Sequence, residues 1–137
     1  MDGETYKMQG NQALSTGETK EAIFYYGKAV EAGGEPKQMA VYHGNRAVAH
    51  LKLNQNTEAL ADLNKAIEFD SEYAKGYLNK AVALHRLGNY EAEKATLVAG
   101  LEVLPDNAKL QTALSAASLR KAPASGGAGG AAAGAGG

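Results

Sequence analysis

Two lysines each stand four residues before an asparagine: Lys7 before Asn11, and Lys75 before Asn79. On a helix that spacing puts both side chains on one face. An ammonium beside a primary amide is a group of hydrogen-bond donors, and bonds that carry charge are the stronger ones to a carboxylate. A third asparagine, Asn45, lies in the stretch VYHGNRAVAH, directly after Gly44. Both are poor helix formers: glycine gives up the most backbone entropy, and asparagine competes for backbone hydrogen bonds. A helix that holds them side by side needs a reason. A bond from the amide to a neighbouring helix would be one; an amide aimed at a ligand carboxylate would be another, with Gly44 clearing space beside it for a peptide backbone.

The elements that must position these residues are helices. Over residues 1 to about 120 apolar residues recur at three- and four-residue spacing, with few alternating β-branched runs. From Lys121 the text becomes KAPASGGAGGAAAGAGG, too poor in apolar bulk to offset its ordering entropy, so 121–137 is expected to be a flexible linker or tail. The first 120 residues repeat themselves. Tyr6–Val30, His43–Ile67 and Tyr77–Leu101 superpose with small residues in register: Gly10, Ala47 and Ala81, then Ala29, Ala66 and Gly100. The turn residues Gly17, Asn54 and Gly88 fall in register too, and the second and third copies are 34 residues apart. Each repeat reads as two antiparallel helices. First helices are expected near 4–16, 38–53 and 73–87, and second helices near 19–32, 56–69 and 90–103. A seventh near 106–120, with Asp106 or Asn107 as its N-cap, would cover the open end.

A 34-residue helix–turn–helix with small residues at these positions resembles the tetratricopeptide repeat (TPR). The resemblance implies an all-α, right-handed superhelical array: three repeats at about 3–36, 40–73 and 74–107, then the capping helix. Two features depart from the pattern. Glu93 stands where the other second helices have Ala22 and Ala59, and no Trp opens a repeat. In such arrays the first helices line a concave groove. Here that would expose Glu4, Lys7, Met8, Asn11, Leu14 and Ser15, then Val41, Gly44, Asn45, Val48, Leu51 and Lys52, then Lys75, Leu78, Asn79, Val82, His85 and Arg86. Four fixed cations would face one acid, which favours an acidic ligand although the whole chain carries a net charge of −1.

The order Lys7-x-x-x-Asn11, Asn45-Arg46, Ala74-Lys75-Gly76-Tyr77 is similar to the TPR subgroup that binds the C-terminal tails of Hsp70 and Hsp90. That subgroup includes the Hsp-organising, small glutamine-rich and UNC-45-like proteins. The resemblance implies a carboxylate clamp on a Glu-Glu-Val-Asp tail. Lys7, Asn11 and Asn45 would hold the terminal carboxylate, Lys75 the Asp side chain, and Asn79 would take the fifth place. Lys52, His85, Arg86, Leu14, Val48 and Val82 would line the rest of the groove. The family usually has Arg at the fifth place. Asn79 lacks its charge and reach, a loss of about 1.5–3 kcal/mol, with Arg86 a candidate to compensate. The alternative is a scaffold whose groove takes an internal peptide or a sister subunit.

Other chemistries have less to stand on. His43 and His50 share a helix face, but at seven residues' spacing rather than the four of helical metal pairs, so packing histidines are expected and no metal or cofactor. There is no Cys, no G-x-S-x-G, and no clustered pair of carboxylates, so no enzyme is expected. Four groove cations are too few for nucleic acid. No run is long enough to span a bilayer, and MDGETYK has no leader pattern, which fits the cytosol or nucleus; a cytoplasmic location is the expectation, and separately a monomer for the isolated domain.

Overall fold

A computed structural model describes residues 1–120, and the stretch 121–137 expected to be a linker lies outside them. The described residues form seven helices: α1 Gly3–Ser15, α2 Thr19–Ala32, α3 Pro36–Lys52, α4 Asn56–Phe69, α5 Ala74–Arg86, α6 Tyr90–Val103 and α7 Ala108–Leu119. No helix among them is long and apolar enough to cross a membrane.

The three turns within repeats are copies of one another. Gly17, Asn54 and Gly88 all take the left-handed backbone, at φ of 83°, 58° and 78°. Glycine and, next to it, asparagine tolerate that conformation. The following amide then bonds back across the turn: Glu18 N–H to the Ala13 carbonyl at 2.8 Å, Gln55 to His50 at 2.8 Å, Asn89 to Leu84 at 2.9 Å. This bond satisfies a carbonyl that the helix end leaves open. At the start of α3, Pro36 occupies the first turn, and Glu35 and Gln38 form a reciprocal capping box. That pair carries α3 two residues further back than the expected start at 38. Asn107 caps α7, its side chain accepting from the Leu110 N–H at 3.0 Å.

Each helix packs on the next in the chain. In addition α1 touches α3, α3 touches α5, and α5 touches α7, whereas α2, α4 and α6 do not touch one another. The odd helices therefore form the inner, concave layer. The core is three clusters in series, each closed by the first helix of the following repeat. Ala13, Ala22 and Tyr26 are joined by Ala49 of α3. Ala47, Leu51, Ala59 and Leu63 are joined by Ala83 of α5. Tyr77, Ala81 and Leu97 are joined by Leu110 and Ala117 of α7, which thus does for the last repeat what a further repeat would do.

Aromatic rings seat directly on glycine at the crossings. A Cβ on Gly10 would lie 2.6 Å from the Tyr26 ring, and one on Gly100 2.9 Å from Tyr77. Gly44 is the same device: it is buried under Tyr73, whose ring carbons would lie 2.7 and 2.9 Å from its Cβ. The expectation that Gly44 clears room for a peptide is therefore corrected, because its open side is filled by the ring that leads into α5. Gly44→Ala should lower stability by about 1–3 kcal/mol, the range for overpacking, although alanine is the better helix former by about 1 kcal/mol. Urea unfolding would show the midpoint fall, and Tyr73→Phe in the same background should recover part of it.

Candidate functional site

Lys7, Asn11 and Leu14 lie on α1, Asn45, Val48 and Lys52 on α3, and Lys75, Asn79, Val82, His85 and Arg86 on α5. All are on the inner layer's helices. Asn45 and Asn79 hold the same place in successive repeats, 34 residues apart.

Asn11 and Asn45 are brought into contact. Asn45 Nδ2 donates to Asn11 Oδ1 at 3.3 Å, and the Tyr26 hydroxyl donates to the same oxygen at 2.6 Å. Tyr26 is fully buried beneath Gly10, and burial pushes its phenol up, so it stays a neutral donor. With both lone pairs of Oδ1 engaged, the Asn11 amide is oriented: its N–H groups remain for another acceptor. One N–H of Asn45 remains as well. The result is a preset donor pair between α1 and α3.

Lys7 is half-buried beside this pair, and its ammonium lies 3.0 Å from Glu4 Oε1. Glu4 Oε2 accepts from the Tyr42 hydroxyl of α3 at 2.7 Å. The bonds from Tyr42 and Lys7 hold the Glu4 carboxyl below the usual range. Burial, reinforced by Glu4, pushes the Tyr42 hydroxyl up to about 12. At neutral pH Glu4 is thus a carboxylate and Tyr42 its donor. Lys52 and Lys75 are exposed and make no ion pair among the described residues. Asn79 is half-buried and makes no side-chain hydrogen bond among them. Leu14 packs against the first core cluster, Val48 is half-buried, and Met8 and Val82 are exposed.

Three expected groove residues are used elsewhere. About 10 Å along α5 from Asn79, Arg86 Nη1 donates to the Leu51 carbonyl at 2.8 Å, which also accepts from the Asn54 N–H at 3.0 Å. The same Nη1 lies 3.5 Å from Asn56 Oδ1, so the guanidinium is held at the α3–α4 turn, about two helical turns from Asn79. His85 turns to α6, with Nδ1 3.2 Å from Glu93 Oε1 and its ring against Tyr90. Leu51 is buried in the second core cluster. Glu93, the acid in the alanine place, is buried and also receives Arg120 Nη1 at 2.8 Å, which ties the end of the capping helix to α6.

The two histidines on one face of α3 meet a carboxylate. His43 Nδ1 is 3.1 Å from Asp62 Oδ1 and His50 Nε2 3.8 Å from Oδ2, while Arg46 bonds both oxygens at 2.9 and 2.8 Å. His43 also stacks on Phe69. Sequence reasoning noted Arg46 beside Asn45 and missed its partner Asp62. The available signal was an acid at a buried register of α4, between Ala59 and Ala66.

A model described as "TPR repeat" matches residues 47–88, and one described as "Tetratricopeptide repeat" matches 74–107. The second TPR domain of human RPAP3, solved with the HSP70 peptide SGPTIEEVD, superposes with a TM-score of 0.74 and 30% identity, covering 84% of this chain and 93% of that one. The chain belongs to the tetratricopeptide repeat family. The TPR2AB domains of yeast Sti1, solved with an HSP90 peptide, give a TM-score of 0.74 at 28% identity, over 85% of this chain and 46% of that one. Among curated relatives, the Dictyostelium discoideum protein STIP1 homolog is 37% identical over 109 residues, 80% of this TPR chain. The chain spans about a fifth of that relative's length.

Burial alone would raise the Asp62 carboxyl, but the bonds from His43 and Arg46 outweigh it and hold the group below the ordinary Asp range. A depressed carboxyl stabilises the fold fully above its unfolded value and loses that contribution as pH falls through the folded one. Asp62→Ala should therefore cost about 3–5 kcal/mol at pH 7, chiefly by leaving Arg46 without its partner. The gap from the native chain should narrow below the ordinary Asp range. Urea melts at pH 7 and at pH 3 would check both.

Proposed function

We propose that this TPR domain is a co-chaperone or adaptor module, not an enzyme, that docks the acidic C-terminal tail of Hsp70 or Hsp90 in the cytoplasm. The observation that carries the reading is the oriented pair Asn11 and Asn45, with Tyr26 fixing their donors and Lys7 beside them. Two amides and an ammonium suit the two oxygens of a free α-carboxylate, because charge-assisted bonds to an anion are the strong ones. Lys75, without an intramolecular partner among the described residues, takes the side chain of the last Asp, and Asn79 bonds the peptide backbone. Leu14, Val48 and Val82 offer apolar contact upstream, and Lys52 adds attraction for acidic residues. The relatives solved with HSP70 and HSP90 peptides support the same ligand class.

The test is titration with a fluorescent peptide ending in Glu-Glu-Val-Asp and with its C-terminally amidated twin. Binding should be lost on amidation and weakened at least tenfold by Lys7→Ala, about the effect of losing one charged hydrogen bond. Asn79→Arg should tighten it by about one to two decades. Binding indifferent to the carboxylate would instead make the groove a site for internal peptides.

A further inference from the structure

Lys7 is not waiting empty for a ligand, since the Glu4 carboxylate already occupies it at 3.0 Å. Glu4 is held there from a second helix. The Tyr42 hydroxyl, on an almost fully buried ring of α3, reaches Glu4 Oε2 at 2.7 Å. To do so it crosses the first turn of α1 at Gly3, where a Cβ would lie 2.7 Å from that hydroxyl. Gly3, Glu4, Lys7 and Tyr42 together build a place for one carboxylate at the edge of the donor pair. We infer that Glu4 is a resident competitor for the Lys7 ammonium, displaced by the ligand's carboxylate, and that it sets the affinity of the site. This rests on the docking reading above.

Charge decides between competition and support. Arg86 donates to the neutral Leu51 carbonyl and keeps its charge, and Asn79 is neutral, so the inner face meets an acidic ligand with Lys7, Lys52, Lys75 and Arg86. Glu4 cancels one of the four, the one nearest the donor pair, and places a like charge beside the incoming carboxylate. A partly exposed ion pair three residues apart on a helix is weak, so Glu4 moderates binding and does not block it.

The experiment compares the native chain with Glu4→Gln, which can still accept the Tyr42 bond. Peptides are the Glu-Glu-Val-Asp free acid and its amide. The free acid should bind about two- to fivefold tighter to Glu4→Gln, the factor that an exposed pair of up to about 1 kcal/mol corresponds to. The amide should show no gain. Glu21→Gln, the same charge change on the exposed side of α2, should leave the affinity as it was, and the gain should disappear in a Lys7→Ala background. Tyr42→Phe keeps the ring, frees Glu4 and should shift the affinity the same way by a smaller factor, so a poorly folded Glu4→Gln does not end the test. Weaker or unchanged binding in Glu4→Gln, with its thermal melt intact, overturns the inference and makes Glu4 a support or a mere brace. If the native chain itself ignores amidation, the docking reading fails first.

Discussion

The array rests on how closely two helices can approach when one of them presents no side chain. Tyr26 lies on Gly10, Tyr73 on Gly44 and Tyr77 on Gly100, and in each case a methyl group would collide with the ring. Buried alanines do the same at lesser depth, as Ala22, Ala59 and Ala66 show. Aromatic rings supply the area that so small a set of residues lacks, and the hydroxyl of a tyrosine needs a partner when its ring is buried. That need is what ties packing to the groove. The Tyr26 ring fills the space left by Gly10, and its hydroxyl then ends at Asn11. The Tyr42 ring fills the core, and its hydroxyl ends at Glu4. The polar pattern of the inner face is thus set from beneath, by the same contacts that hold the helices together.

Among the described residues, buried carboxylates have partners around them. Asp62 has Arg46 and two histidines within reach, and Glu93 has Arg120 and His85. Both acids sit on second helices and draw their partners from other helices or the end of the chain's described part. Such clusters are weak evidence for net stability, since desolvation offsets much of the attraction, but removing one member leaves an uncompensated charge. They join particular helices to particular neighbours, α3 to α4 and α6 to the residue that ends the capping helix, where alanine contacts alone would be interchangeable between repeats.

What could be read in the residues follows from which features are local. Gly17, Asn54 and Gly88 were legible as turns because a left-handed backbone admits few residue types, and the second helices that follow begin at residues 19, 56 and 90, as expected. The Lys and Asn residues of the inner face were legible from their spacing along single helices. Contacts between helices were not. Gly44 meets a ring 29 positions away, and nothing local tells that ring from a ligand. Arg86 and His85 read as groove residues by helical register, yet their long or rotatable side chains end on the Leu51 carbonyl and on Glu93. A register places a Cβ, while the head group of a long side chain goes to whatever polar partner lies within reach. The resident bond of Glu4 to Lys7 was hidden for a related reason: it depends on Tyr42, from a helix more than thirty residues away.

The four residues His43, Gly44, Asn45 and Arg46 show why a helix accepts such poor formers together. Successive residues point about 100° apart, so four in a row face four directions. His43 goes to α4, stacking on Phe69 and bonding Asp62. Gly44 admits Tyr73 from the chain entering α5. Asn45 reaches back to Asn11 of α1. Arg46 passes beside Gly27 of α2, whose Cβ would lie 3.4 Å from its Nη1, and ends on Asp62. Helix α3 opens the middle repeat and packs against α1, α2, α4 and α5, so each position is chosen by what it meets. The propensity lost at Gly44 and Asn45 is about 1 kcal/mol or less per residue, small beside the contacts to α1, α4 and the chain entering α5 that this one turn secures.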